Sequence, residues 1–184
     1  SMRLSNSFLE FNLITPCPRN REFEAVNELE QILFDLGDEK AKAWESEVRG
    51  LILAYTNFEP FEAIEKIRKY IKEGPWRVRV LKRIIPIEFV VETDLEIISK
   101  LCREKISNRI SPSETFRITL EKRHTDLSSR EIIDAAAKQI NAKVDLENPQ
   151  KIILIEVVGN ATGISLLKSE DQILNVTKEL LREG

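Results

Sequence analysis

Basic side chains are the residues of this chain whose type and spacing could do chemistry, and that chemistry is phosphate binding. Four of them fall within the segment WRVRVLKR, at Arg77, Arg79, Lys82 and Arg83. Alternate residues of a strand point to the same side, so Arg77 and Arg79 are predicted to form a cationic row. Such a row binds a polyanion, although an exposed sheet edge decorated for solubility has the same pattern.

A second basic cluster, Lys122-Arg123-His124, is predicted to lie where a strand meets a helix that begins near Ser128. The exposed amides at the start of a helix favour an anion, so this cluster is a second candidate phosphate site. His124 is the only histidine of the chain. It is either an ordinary surface residue or one that hydrogen-bonds or stacks on RNA. Lys151, before an apolar run, is added for its charge and position.

Sequence motifs of catalysis are missing from the chain. One histidine and two distant cysteines, Cys17 and Cys102, cannot build a Cys/His zinc cluster. There is no dinucleotide fingerprint and no nucleophile elbow. The glycine-containing stretch 159–163 lacks the lysine of a phosphate loop and is better explained as a hairpin turn. We therefore expect a protein that is not an enzyme and has no cofactor or metal.

The charge is unevenly distributed along the sequence. The net charge is −3, which taken alone argues against a nucleic-acid partner. Residues 76–125, however, carry 11 Lys or Arg against 7 Asp or Glu, whereas residues 1–75 carry 10 against 14. The middle third is thus the basic part. The acidic residues Glu22, Glu24, Glu28 and Glu30 are expected to form a solvated helix face or, less readily, a docking site for a partner.

Periodicity in the first half predicts the order β-α-β-β-α-β, a ferredoxin-like unit with two helices on one face of an antiparallel sheet. The predicted elements are a strand at 8–14, a helix at 21–36 capped by Gly37, one or two strands within 43–55, a helix at 60–74, and a strand at 76–83.

The second half predicts α-β-α-β-β-α, with some parallel pairing and an antiparallel pair across 159–163. Capping-box spacing places helix starts at Thr93 with Glu96 and at Ser128 with Glu131. A final helix is predicted over 171–183. No apolar run approaches the roughly 18 residues of a membrane span.

From Arg83 to Leu167 the sequence resembles the THUMP domain, an RNA-binding module of tRNA-modifying systems. The matching residues are Arg83 and Pro86, Phe116-Arg117-Ile118, Lys122-Arg123, Ser129 with Ile132-Ile133, Lys143-Val144-Asp145-Leu146 with Pro149, and Gly159 with Ile164-Ser165. The resemblance implies an α+β chain with an N-terminal ferredoxin-like domain at 1–85, followed at 86–184 by an α/β THUMP domain with a mixed sheet.

A THUMP protein without a catalytic domain looks like the Tan family of tRNA-binding adaptors. The resemblance therefore implies a cytoplasmic adaptor that presents tRNA to a separate acetyltransferase making 4-acetylcytidine. The resemblance also implies RNA contact by Arg83, Arg117, Lys122 and Arg123. The remaining candidates are proposed from their charge and position alone. Two alternatives stay open: the RNA-binding part of a larger methyltransferase or thiouridine synthase, and a ferredoxin-like sensor without an RNA role.

Overall fold

Two five-stranded sheets organise the chain, and the computed structural model describes them over residues 10–181. Within the described residues, one compact unit comprises Glu10–Ile87 and residues 171–181, and the other comprises Glu88–Glu170. In chain order the elements are β1 (Leu13–Pro16), α1 (Glu22–Asp35), β2 (Lys42–Glu45), β3 (Leu51–Tyr55), α2 (Pro60–Glu73), β4 (Arg83–Pro86), β5 (Phe89–Glu92), α3 (Leu95–Leu101), β6 (Thr115–Arg123), α4 (Ser129–Ala137), β7 (Lys143–Val144), β8 (Lys151–Val158), β9 (Ala161–Leu167), β10 (Leu174–Asn175) and α5 (Val176–Leu181).

The first unit has the predicted ferredoxin-like element order. Its antiparallel sheet runs β10-β4-β1-β3-β2, and the apolar sides of α1 and α2 pack with Leu13, Ile52 and Ile84 in one core. Pro60 begins α2, and Gly37, with φ 105°, follows the end of α1 as the capping pattern predicts. Of the predicted strand at 8–14, Phe8 and Leu9 lie outside the described residues.

The fourth strand of this unit is shorter than predicted and lies further along the chain. Residues Pro75–Arg77 form a single 3-10 turn, and the strand spans only Arg83–Pro86. Val80 and Leu81 are buried, but the ladder pairs of this strand involve only residues 83–86, so both lie outside the sheet. The strand predicted at 76–83 is therefore wrong for most of its length.

The second unit has the mixed sheet that the sequence predicts. Its strands run β5-β9-β8-β6-β7, where β6 is parallel to both β7 and β8, and β8 to β9 is an antiparallel hairpin turning at Gly159 and Asn160. The helices α3 and α4 pack with Phe116, Ile153 and Ile155 in a second core. Ile152 to Val158 are all buried, as expected for a central strand.

Three features of the second half differ from the prediction. The short strands β5 and β7 were not predicted. Asp94, not Thr93, caps α3, because its carboxylate accepts the Ile97 amide while the Thr93 hydroxyl bonds the hydroxyl of Thr162. The predicted capping box of Ser128 and Glu131 at the start of α4 is confirmed.

The C-terminal segment also departs from the prediction. Leu174 and Asn175 pair with Ile84 and Arg83, so β10 extends the first sheet and only α5 is helical. A division into 1–85 and 86–184 therefore needs correction: the segment from Asp171 belongs with the first unit. Of the helices in the described part of the chain, none is both long and apolar enough to cross a bilayer.

Candidate nucleic-acid interface

The residues 75–83, here called the basic segment, are held by a carboxylate of α1. Glu28 accepts hydrogen bonds from the backbone amides of Arg79 at 2.7 Å, Val80 at 3.1 Å and Leu81 at 2.8 Å. These donors would bond a neighbouring strand if the segment were part of the sheet. Because the segment is not a strand, Arg77 and Arg79 do not form the predicted pleated row.

The side chains of Arg77 and Arg79 have different surroundings. Arg77 lies with its guanidinium carbon 4.3 Å from the centre of the Tyr70 ring, in cation–π geometry. Arg79 is exposed, and its backbone, not its side chain, is fixed by Glu28. Both side chains remain candidates for phosphate contact.

Lys82 and Arg83 line an open groove of about 600 Å³ in the first unit. The other lining residues, contributed by β10 and α5, are Asn175, Thr177, Lys178 and Leu181. Three cations and two polar side chains thus face one concavity, which is suited to a phosphate group. Lys178 also lies 3.3 Å from the carboxylate of Asp171, so its charge is partly balanced. Lys178 is not among the residues predicted from the sequence, because no local pattern indicates the pairing of β10 with β4.

The cluster Lys122-Arg123-His124 lies at the carboxyl end of β6. Lys122 is exposed, and its ammonium group donates to the Leu127 carbonyl at 3.0 Å. His124 is exposed with φ 57°, a left-handed conformation that ends the strand. Arg123 instead bonds Glu156 at 3.0 Å, and that carboxylate is fully buried. Lys122 and His124 are therefore the members of the cluster that face solvent.

The start of α4 is less open to an anion than predicted. The Ser128 hydroxyl accepts the Glu131 amide, and the Glu131 carboxylate accepts the Ser128 amide. The bonds from the backbone and the side chain of Ser128 hold the pKa of Glu131 below its ordinary value, so a negative charge already occupies this end of the helix. Phosphate binding here would depend on Lys122 and on the exposed Arg130, not on free amides.

Arg117 and Lys151 lie at the opposite end of β6 from this cluster. Arg117 and Arg123 are six residue steps apart on the strand, a distance of about 20 Å. Arg117 forms an ion pair with Glu170 and donates to the Leu146 carbonyl. Lys151 forms an ion pair with Glu114 at 3.1 Å. The five candidates of the second unit therefore do not converge, and three of them, including Arg123, bind carboxylates of the protein itself.

The described residues contain no other evident site of chemistry. Between residues 10 and 181, no three His, Cys, Asp or Glu side chains come together as a metal site requires. Both cysteines are free thiols. Burial raises the pKa of Cys102 to about 12, and burial with nearby Glu22 and Glu45 raises that of Cys17 to about 11. Thiols with such pKa values are poor nucleophiles near neutral pH.

A curated protein resembles part of this chain in sequence. The sequence is 38% identical over 114 residues to an uncharacterised protein of Methanocaldococcus jannaschii, a match that covers 59% of this chain and 31% of the relative. The chain thus spans about a third of that relative's length.

Solved structures share the fold of both units. The protein PH1313 of Pyrococcus horikoshii matches 88% of this chain, with a TM-score of 0.58 and 23% identity, and the match covers 56% of its own chain. A 4-thiouridine synthetase solved in complex with RNA and ATP matches 90% of this chain, with a TM-score of 0.54 and 14% identity, over 42% of its own chain. At these identities the likeness establishes the fold.

The family to which the second unit is similar is identified by sequence. The THUMP domain model matches residues 92–167, which span β6, α4, β8 and β9 with the mixed sheet described above. Most residues that carry the resemblance seen in the sequence lie within this range, and Arg83 and Pro86 precede it. Residues 92–167 of this chain are therefore a THUMP domain, and a ferredoxin-like unit precedes it.

Proposed function

We propose that this chain binds tRNA and presents it to a separate modification enzyme, a cytidine acetyltransferase, without catalysing a reaction itself. The observation that carries the proposal is the THUMP domain at residues 92–167, preceded by a ferredoxin-like unit. Support for RNA as the ligand comes from the 4-thiouridine synthetase, which was solved with RNA and shares the fold of both units.

Phosphate contacts are assigned to the cations that face solvent. Lys82 and Arg83 line the groove of the first unit, and Lys122 is exposed at the end of β6. Arg117, Arg123 and Lys151 act chiefly in ion pairs within the second unit. A cation already bonded to a carboxylate gains less from a phosphate, because it must give up its partner.

A second candidate is the RNA-binding part of a larger modifying enzyme, such as a methyltransferase or thiouridine synthase. The observation in its favour is that this chain matches only 42% of the 4-thiouridine synthetase and 31% of the Methanocaldococcus relative. In that case the chemistry would belong to sequence beyond the matched region of the enzyme.

The tRNA part of the proposal is tested by fluorescence anisotropy with a transcribed tRNA at several salt concentrations. Each phosphate contact contributes about −0.9 to the slope of log affinity against log salt. Lys82→Ala and Lys122→Ala should each lower affinity and reduce the steepness of that slope by about 1. Lys69→Ala, a highly exposed lysine on α2, is the matched control and should bind like the unmodified chain. Absence of a tRNA complex would exclude RNA binding and favour a sensor role, and a salt-insensitive complex would reject the assigned phosphate contacts.

The adaptor part needs a second experiment. The cytidine acetyltransferase of the source organism is incubated with tRNA and its acetyl donor, with and without this chain, and acetylcytidine is measured by mass spectrometry. We expect product only when both proteins are present. Equal product without the chain, despite a confirmed tRNA complex, would reject the adaptor role and leave the larger-enzyme candidate.

A further inference from the structure

An exposed tryptophan and an immobilised arginine lie side by side in the basic segment. Trp76 is 71% exposed. The Arg77 guanidinium carbon lies 5.8 Å from the centre of the Trp76 ring and 4.3 Å from that of Tyr70. Two flat surfaces, one an indole and the other a guanidinium plane, are thus neighbours on the first unit.

Arg77 is held in place by three features of its surroundings. Its Nη1 donates to the Tyr70 carbonyl at 3.3 Å, and its guanidinium lies over the Tyr70 ring. Gly74 leaves the space that this side chain occupies, since a Cβ there would lie 2.5 to 2.9 Å from Arg77 atoms. The Tyr70 hydroxyl is itself fixed by donating to Asp35. An arginine held this way loses little further freedom when a ligand binds.

Arg77 forms no ion pair within residues 10–181, although the Asp35 carboxylate is close enough for the charge of Arg77 to contribute to lowering its pKa. Among the described residues, no carboxylate lies within 4.0 Å of its guanidinium nitrogens, in contrast to Arg117 and Arg123. The basic segment PWRVRVLKR contains four cations and no acidic residue. Tryptophan and arginine are also common in protein-binding hot spots. The four cations of the basic segment favour a polyanion here, although the carboxylates of Glu28 and Asp35 lie nearby.

We propose that Trp76 and Arg77 form a stacking platform for an unpaired RNA base, while Arg79 and Lys82 contact the adjoining phosphates. Every nucleobase has a π-face, so aromatic rings and guanidinium planes bind single-stranded RNA with little sequence preference. The inference rests on the proposed function and specifies that part of the bound RNA is single-stranded.

Tryptophan fluorescence tests the platform directly. The chain has two tryptophans, so a Trp44→Phe variant leaves Trp76 as the reporter. It is titrated with oligoadenylate, which offers stacked bases, and with heparin, a polyanion without bases. Oligoadenylate should quench the emission of Trp76 to saturation, and heparin should not.

Affinities of variants give the second readout. Trp76→Ala should weaken oligoadenylate binding by roughly 5- to 150-fold, the range for one stacked base, and leave heparin binding unchanged. Phe23→Ala is the matched control, because Phe23 is 72% exposed on the same unit. Circular dichroism and thermal unfolding verify that each variant is folded.

Two results would overturn the inference. One is oligoadenylate affinity in Trp76→Ala equal to that of the unmodified chain, which would leave the patch as a protein-docking surface. The other is equal quenching by heparin. If tRNA still binds in either case, the proposed function survives and only the platform is rejected. If the unmodified chain binds neither tRNA nor oligoadenylate, the proposed function fails with it.

Discussion

Glu28 is the single acidic residue whose removal should most disturb the candidate interface. Its carboxylate accepts the amides of Arg79, Val80 and Leu81, and the last two residues are buried. In Glu28→Ala these amides lose their acceptor. Alanine is a strong helix former, so α1 itself should remain intact.

The expected loss follows from the three bonds. A hydrogen bond to a charged acceptor contributes about 1.5 to 3 kcal/mol. The three bonds share one half-buried carboxylate and water can replace part of them, so their sum is smaller than three times that value. We expect Glu28→Ala to lower the free energy of unfolding by about 2 to 4 kcal/mol, which corresponds to roughly 5 to 15 °C in Tm. Glu28→Gln, which keeps one carbonyl oxygen, should fall between the two proteins.

The assay is urea and thermal unfolding followed by tryptophan fluorescence. Trp44 and Trp76 both belong to the first unit, so the signal reports the unit in which Glu28 acts. Glu24→Ala is the control, because Glu24 lies on the same helix and pairs only with the exposed Arg21 side chain. Stability of Glu28→Ala indistinguishable from that of Glu24→Ala would refute the assigned role of the carboxylate.

Four further predictions concern the glycine beside the platform, acid stability, the thiols and the ion-paired cations. Gly74→Ala should displace the Arg77 side chain and weaken oligoadenylate binding as much as Arg77→Ala, with little change in Tm. Unchanged affinity would show that Gly74 is not needed to position Arg77. Burial alone would raise the pKa of Asp38, but hydrogen bonds from Thr56 and Asn57 outweigh burial and lower that pKa. The Asp38 carboxylate therefore stabilises the fold above its ordinary pKa of 3.8, and this stabilisation is lost as the pH falls through the pKa of Asp38 in the folded protein. Asp38→Asn should therefore be less stable near neutrality and lose less stability on acidification, which urea titrations at about pH 6 and pH 3 would measure. Cys102, fully buried with a pKa raised to about 12, should resist iodoacetamide at about pH 8 until urea unfolds the second unit, and labelling in the native protein would contradict that burial. Lys151→Ala should lower the stability of the protein but leave the salt dependence of tRNA binding unchanged. A change in salt dependence equal to that of Lys122→Ala would show that the ion pair between Lys151 and Glu114 opens when tRNA binds.

Local signals in the sequence predicted most of the fold. Pro60 and Gly74 mark the ends of α2, and the Ser128 and Glu131 box marks the start of α4. Such signals act within a few residues, so they can be interpreted without knowing the tertiary structure. The alternation of strands with helices also predicted some parallel pairing, which β6 and β8 confirm.

The errors arose where distant residues decide the structure. The alternation of apolar and basic residues at 76–82 is typical of a strand. The backbone amides of Arg79 and Leu81, however, donate to Glu28, some 50 positions earlier in the chain. Leu174 and Asn175 continue a helical pattern, yet they pair with a strand about 90 residues away. No window along the sequence contains both partners of either interaction, and tertiary pairing overrides the local pattern.

The surroundings of the candidate basic residues could not be predicted from the sequence, for the same reason. Basic residues are visible in a sequence, but their partners are not. Arg117 meets Glu170, and Arg123 meets a carboxylate on the neighbouring strand, so each is occupied by an acid that lies far away along the chain. Arg77 is the opposite case, because a tyrosine ring and a glycine position it, and the nearby Asp35 carboxylate bonds the Tyr70 hydroxyl.

The acidic character of the first 75 residues is consequently no argument against RNA binding. Three of the four glutamates on α1 that looked like a solvated face bond backbone amides instead: Glu22 that of Gly50, Glu28 those of the basic segment, and Glu30 that of Ala43. Salt dependence counts the cations that meet phosphates, not the net charge of the chain. The carboxylate of Glu28 fixes the backbone between Trp76 and Lys82, so an acidic residue positions the basic surface. The acidic helix α1 and the basic segment therefore act together. Neutralising the glutamates of α1 should weaken RNA binding, whereas a count of net charge alone would predict stronger binding.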